Sequence, residues 1–118
     1  MEENRYDLHA DPRLDHLIGA FRQHPDLRDA AKPTAIGLVV SLLRWTAQHA
    51  PTGDLSSFAP QVLADAVDWE GDAPLMLHLL QDAGFLNAKM QFVGISRMLD
   101  AKKGFLKWAF EETDEEYQ

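Results

Sequence analysis

The sequence contains no cysteine among its 118 residues. A disulfide framework and a thiolate zinc site are therefore excluded, and the composition suits a reducing cytosol, so we expect a cytoplasmic protein. Long hydrophobic runs are lacking too. The longest apolar run, AIGLVVSLL, is interrupted by Ser41 and ends at Arg44. The N-terminus, MEENRYDLHADPR, has neither the basic start nor the apolar run of a signal peptide. We therefore expect no membrane span and no membrane partner.

Residue patterns that would support catalysis are also missing. The five histidines, His9, His16, His24, His49 and His78, follow no metal-ligand spacing such as His-Glu-x-x-His. The seven glycines form no phosphate-binding loop, and no cysteine is present to act as a nucleophile. The sequence therefore predicts a protein that is not an enzyme and has no metal and no cofactor.

Positive charge is scarce and unevenly placed. The net charge is −8, which argues against a surface that binds phosphate everywhere, because such binding depends on clustered lysine and arginine. Residues 1–88 hold 13 acids and 6 bases, residues 89–110 hold 5 bases and only Asp100 as an acid, and residues 111–118 hold 5 acids and no base. One basic strip therefore lies between two acidic regions.

The length and the 46 % of hydrophobic residues predict one domain, residues 1–110, followed by an acidic flexible tail, residues 111–118. Asp11 and Pro12 predict the start of a first helix, which should end near His24 and Pro25. Thr34 is suited to cap a second, central helix that is apolar on two sides and ends at APTGDLSS.

Residues 60–84 read as a helix-turn-helix. A third helix is expected from about Pro60 to Val67, with Val62 among its inward residues, and Trp69 is expected to fill the corner between helices. Asp72 is a good N-cap for a fourth helix, and Gly84 a good end for it. The aromatic and β-branched residues that follow, with NAK as a turn, predict a small β-hairpin or wing, and MLDAKKGFLKWAFEE predicts a C-terminal helix. The expected fold class is therefore mainly α and winged helix-turn-helix-like.

Residues 35–87 also carry a family resemblance. The matching features are a helix rich in small residues that ends near a tryptophan, a Gly-Asp-Leu-Ser turn, a Trp-x-Gly-Asp turn and a Gly-Phe-Leu helix end. The positions are Ala35, Gly37, Leu38, Trp45, Ala50, Pro51, Gly53, Asp54, Leu55, Ser56, Ala66, Trp69, Gly71, Asp72, Leu80, Ala83, Gly84, Phe85 and Leu86. This run resembles the winged-helix domain of phage and prophage replisome-organizer, or replication-initiator, proteins. The resemblance implies that fold and an association with DNA.

The outer face of the fourth helix is mixed and holds no base. If Met76 lies at the centre of the buried stripe, His78 and Gln81 lie opposite, with Leu75 and Leu77 on the flanks. His78 and Gln81 are then weak candidates for contacts with DNA bases. Leu75 and Leu77 would instead cover a neighbouring segment or a partner protein.

Two functions follow as alternatives. The first is a DNA-associated module of phage replication or transcription that holds duplex through its basic strip, Lys89, Arg97, Lys102, Lys103 and Lys107. The second is a protein–protein interaction module, an adaptor or inhibitor, with anchors at Leu75, Leu77, Phe105, Trp108 and Phe110. Its partners would be replication or other proteins, and its apolar face would also suit a homodimer. The acidic tail would either solubilise the protein or fold back on the basic strip and compete with an anionic partner.

Overall fold

The computed structural model describes residues 6–100, and the chain in this range is mainly helical. Five α-helices lie within it: α1 (Pro12–Arg22), α2 (Ala31–His49), α3 (Pro60–Ala66), α4 (Ala73–Ala83) and α5 (Ile95–Asp100). Short 3-10 turns, Leu8–Ala10 and Arg28–Ala30, precede α1 and α2. No helix between residues 6 and 100 has the length and hydropathy that a bilayer crossing requires.

Local capping chemistry sets three helix ends where the sequence predicted them. The carboxylate of Asp11 accepts a hydrogen bond from the Arg13 backbone N–H at 2.9 Å, and that of Asp72 accepts one from the Leu75 N–H at 2.9 Å. Pro12 and Pro74 lie in the first turns of α1 and α4. Gly84 ends α4 in the left-handed region with φ +99°, which most side chains avoid. These predictions are confirmed.

Two local predictions are wrong. Helix α2 begins at Ala31 instead of after Thr34, because the 3-10 turn Arg28–Ala30 runs directly into it and the cap makes no side-chain hydrogen bond. Thr34 therefore lies inside the first turns of α2. Val62 was expected to face inward but is 45 % exposed, and Ala64 is buried in α3 beside Leu63. The small side chain of Ala64 allows α3 to lie close to its neighbours.

The core forms where α1 contacts α2 and α4, and where α3 contacts α2 and α4. Helix α2 contacts α1, α3 and α5, and its buried residues recur at three- and four-residue spacing, so they form one broad face instead of the two expected. The largest fully buried side chains include Phe21 from α1, Leu42 and Leu43 from α2, and Met76 from α4. Trp69 lies at the corner between α1 and α4, with its ring centroid 6.0 Å from that of Phe21.

The predicted β-hairpin is not formed as regular strands within residues 6–100. Two isolated antiparallel bridges occur instead, Asp54 with Gln91 and Leu86 with Phe92. The segment at Gln91 and Phe92 therefore lies between the other two segments. The positive φ of Met90 (62°) and of Gly94 (79°) bends the chain on both sides of this pair, which keeps the paired segments short. The predicted turn at residues 87–89 is confirmed, since the Met90 N–H donates to the Asn87 carbonyl at 3.0 Å.

Candidate nucleic-acid interface

The exposed face of α4 consists of Pro74, His78 and Asp82, with Gln81 and Leu75 half-buried beside it. The sequence from Asp68 to Ala88 contains four carboxylates and no lysine or arginine. A reader helix needs cations near it to hold the phosphates that position it on duplex DNA. The α4 face itself therefore provides no phosphate anchor.

The carboxylate of Asp82 is held by a histidine from α1. His16 Nε2 and Asp82 Oδ2 lie 2.9 Å apart, and both side chains are more than half exposed. The hydrogen bond from His16 lowers the pKa of Asp82 and outweighs the opposing effect of desolvation, with smaller contributions from the charges of His16 and His78. Asp82 therefore stays ionised at neutral pH, next to His78 on the outer face.

Gln81 braces the turn that follows α4. Its Nε2 donates to the Asn87 carbonyl at 3.1 Å and lies 3.5 Å from the Met90 sulfur. To contact an adenine base, this amide would have to use its second N–H and its Oε1 while Nε2 stays bonded to Asn87. The interpretation of Gln81 as a base contact thus competes with a structural role that the sequence did not predict.

The turn beyond Gln81 is built around Asn87 and presents Lys89. Asn87 Oδ1 accepts hydrogen bonds from the backbone N–H groups of Lys89 at 2.9 Å and Gln91 at 3.0 Å. These bonds fix the backbone of the turn, while the side chain of Lys89 remains exposed. A shallow depression of about 520 Å³ lies between α4 and this turn and is lined partly by His78, Gln81 and Asn87. Ala88, the neighbour of Lys89 in the turn, also lines this depression, but Lys89 itself does not.

Arg97 lies in a different place. It is exposed on α5, its guanidinium carbon lies 6.0 Å from the centroid of the Tyr6 ring, and it lines a cleft of about 430 Å³ beside Tyr6 and Asp11. The chain passes from Lys89 through the paired residues Gln91 and Phe92 before it reaches α5. Lys89 is not among the residues that line this cleft.

The other predicted site residues are buried, half-buried or outside the described range. Leu77 is only 7 % exposed and belongs to the core, because α4 is covered by α1 and α3 on two sides, so Leu77 offers almost no surface to a partner. Leu75 is half-buried at the edge of α4. The remaining predicted site residues lie outside the described range, and these are Lys102, Lys103, Phe105, Lys107, Trp108 and Phe110. The acidic tail lies outside it as well.

Sequence reasoning missed the cluster at the start of α1. The guanidinium of Arg13 donates to both carboxylate oxygens of Asp11 and, at 2.7 Å, to the carbonyl of Val93, and it lies 4.5 Å above the Phe85 ring. Tyr6 donates its hydroxyl hydrogen to Asp11 at 2.8 Å. Burial raises the pKa of Asp11, but the hydrogen bonds from Arg13 and Tyr6 outweigh this effect, and the net shift of the pKa is downward. No sequence signal links residue 13 to residues 85 and 93.

No three histidine or carboxylate side chains within residues 6–100 come together as a metal site would require. Comparisons of the chain with protein-family models, with curated proteins and with solved structures found no match.

Proposed function

We propose that this chain is a non-enzymatic, DNA-associated binding module with a winged helix-turn-helix architecture. The observation that carries the proposal is the placement of exposed Lys89 in a braced turn directly after the α3–α4 pair. Such a turn is suited to lie along a phosphate backbone as a wing. The role in phage replication rests on the family resemblance of residues 35–87.

The order of elements along the chain supports the winged-helix part of the proposal. Helix α2 is followed by a segment that pairs through Asp54, then by α3 and α4, and then by two further segments that pair through Leu86 and Phe92. The Leu55 N–H donates to the Met90 carbonyl at 2.9 Å, and the Phe92 N–H donates to the Gly53 carbonyl at 2.8 Å. The segment after the turn is thereby attached to the body of the domain, as a wing must be.

The charges of the described surface favour contacts with phosphates over contacts with bases. Helix α4 has exposed Asp82 and no cation, so it supplies no bidentate arginine or lysine contact with a guanine. The proposed contacts are made to phosphates by Lys89 and Arg97, with Lys102, Lys103 and Lys107 of the basic strip adding to them. Binding of this kind is independent of sequence and sensitive to salt.

A salt titration tests the proposal. Fluorescence anisotropy of a labelled duplex of about 20 base pairs would be recorded from about 20 to 200 mM salt, with a second duplex of unrelated sequence as the comparison. We expect both duplexes to bind with affinities within about threefold of each other. The logarithm of the binding constant should fall with the logarithm of salt with a slope of about −2 to −4, because each neutralised phosphate contributes about −0.9. Absence of binding at the lowest salt concentration would refute the proposal.

Of the five anchors of the second function, a protein–protein interaction module, the structure describes two, Leu75 and Leu77. Leu77 is in the core, while Leu75 lines a cleft beside Trp69. That cleft lies at the start of α4, whereas Gln81 braces the turn after the end of α4, and the chemistry of the cleft differs from that of the turn at Lys89.

A further inference from the structure

An open cleft of about 670 Å³ lies where the loop after α1 faces the turn between α3 and α4. Its apolar lining comes from three half-buried side chains, Leu27, Trp69 and Leu75. We refer to the space between these three side chains as the Trp69 cleft. All three pack against the core on one side, so the remaining apolar surface faces the cleft.

The position of Trp69 is fixed before any ligand binds. Its backbone N–H donates to the Ala64 carbonyl at 2.9 Å, and its indole Nε1 donates to the Asp72 carbonyl at 3.1 Å. The indole also covers Gly71 closely, since a Cβ at residue 71 would lie 3.1 Å from Nε1. An aromatic side chain held in this way offers apolar contact area at a low cost in conformational entropy.

The rim of the Trp69 cleft is acidic. Four exposed carboxylates line it, those of Asp26, Asp68, Glu70 and Asp72. The other polar side chains that line it within the described part of the chain are His24 and Thr34, and neither lysine nor arginine is among the lining residues. Arg28 and Lys32 are near in sequence but are not part of this lining. An anionic ligand such as a phosphate backbone is therefore repelled from this rim.

We propose that the Trp69 cleft binds a cationic segment of a partner protein, with lysine or arginine side chains at the rim and one aliphatic side chain against Trp69. Charge complementarity selects the cations, and the apolar lining selects a segment that also carries a leucine- or methionine-sized side chain. This site is separate from the turn at Lys89, so the inference goes beyond the proposed DNA binding and does not depend on it.

The test uses the full chain and a defined probe, the fluorescein-labelled peptide GKKLKKLKKG. Peptide binding is measured by fluorescence anisotropy at about 0.1 M salt. At this salt concentration, charges more than about 10 Å from the peptide are largely screened and contribute little to its binding. Two comparison ligands separate the sources of binding: the same peptide with both leucines changed to serine, and the polyamine spermine as a competitor. We expect the leucine peptide to bind at least about fivefold more tightly than the serine peptide.

A pair of protein variants with equal charge locates the site. Asp68→Asn with Glu70→Gln removes two rim carboxylates, and asparagine tolerates the positive φ of residue 68, which is 59°. Asp15→Asn with Asp54→Asn removes two exposed carboxylates elsewhere, and an asparagine at position 54 keeps an oxygen that accepts hydrogen bonds from Ser56. We expect the first pair to weaken peptide binding about five- to tenfold and the second pair to weaken it less than about twofold.

Leu75→Ala tests the apolar lining, and we expect a loss of about threefold or more with the leucine peptide and little change with the serine peptide. Three results would overturn the inference. They are equal weakening by the two carboxylate pairs, equal binding of the leucine and serine peptides, or displacement of the peptide by spermine at equal cation concentration. The first would show a general effect of negative charge, and the other two would show a site for polycations without an apolar anchor.

Discussion

The guanidinium of Arg13 donates a hydrogen bond from Nη1 to the backbone carbonyl of Val93 at 2.7 Å. This bond joins the first turn of α1 to the segment that follows the Lys89 turn, 80 residues later in the chain. The same guanidinium is paired with Asp11 and lies over the ring of Phe85. One side chain therefore links the start of α1, the end of α4 and the proposed wing.

Replacing Arg13 should destabilise the fold. Arg13→Met keeps the length of the side chain but removes the donors to Val93 and Asp11 and leaves a 7 % exposed carboxylate without its ion-pair partner. We expect a loss of about 2–3 kcal/mol in the free energy of unfolding, measured by urea denaturation. Arg13→Lys is the control, because it keeps the charge and loses the planar fork, and it should recover less than half of the loss. A loss below about 0.5 kcal/mol for Arg13→Met would contradict this interpretation.

The low pKa of Asp11 predicts a dependence of stability on pH. A carboxyl group whose pKa is lower in the folded than in the unfolded state stabilises the fold above its unfolded pKa of about 3.9. That stabilisation is lost as the pH falls through the folded pKa. We expect the free energy of unfolding to decrease below about pH 4 and the decrease to be smaller in Asp11→Asn. Denaturation curves from about pH 2.5 to 6 measure it, and parallel profiles for the two proteins would exclude Asp11 as a source.

Asp72 caps α4 and also lies on the rim of the Trp69 cleft, so substitutions of Asp72 test both roles. Asp72→Ala removes the acceptor for the Leu75 N–H and should cost about 1 kcal/mol in the free energy of unfolding. Asp72→Asn keeps an acceptor and should cost only a few tenths of that amount, while it removes a rim charge. Thermal denaturation of both variants separates the cap from the charge, and equal destabilisation would show that the charge is what matters.

Two glycines should respond to alanine in opposite directions. Gly53 has φ +90°, and a Cβ there would lie 3.0 Å from Ile95 Cγ2 and 3.3 Å from the Phe92 carbonyl oxygen. Gly53→Ala should therefore destabilise the protein by about 1–3 kcal/mol and disturb the paired segments. Gly37 lies within α2, where an added Cβ would meet no atom within 4 Å, so Gly37→Ala should stabilise by about 0.5–1 kcal/mol. Urea denaturation gives both values, and the same sign for both would be inconsistent with this geometry.

Charge reversal at Lys89 tests the proposed wing directly. Lys89→Glu should weaken binding of a labelled duplex at low salt and should reduce the magnitude of the salt slope by about 1, as expected for loss of one phosphate contact. Lys32→Glu makes the same change in net charge at an exposed position in the first turn of α2, and it should leave the slope unaltered. If both variants weaken binding equally, the effect comes from total charge and the Lys89 turn is not the contact.

Local features were predictable because they depend on residues close together in the chain. Asp11, Asp72 and Gly84 act on backbone groups within about four residues, so their identity is enough to predict the helix ends. Thr34 is an exception. It is a good capping residue, but the 3-10 turn Arg28–Ala30 continues directly into α2, so the helix begins three residues before Thr34. The short pairings at Asp54 and Leu86 are a second exception. Composition predicts that these segments are extended, but it does not predict how many residues will pair.

The sequence alone determined the helical class of this protein, the positions of its main caps and turns, and the uneven distribution of its charges. The tertiary structure alone decided that Leu77 is buried, that Gln81 braces the Lys89 turn, that Arg13 reaches Val93, and that Leu27 and Leu75 line one cleft with Trp69. The physical reason is the distance along the chain over which each interaction acts. Capping and periodicity are properties of a single segment, whereas the exposure and partners of a side chain depend on which other segments pack against it, and those segments are distant in sequence.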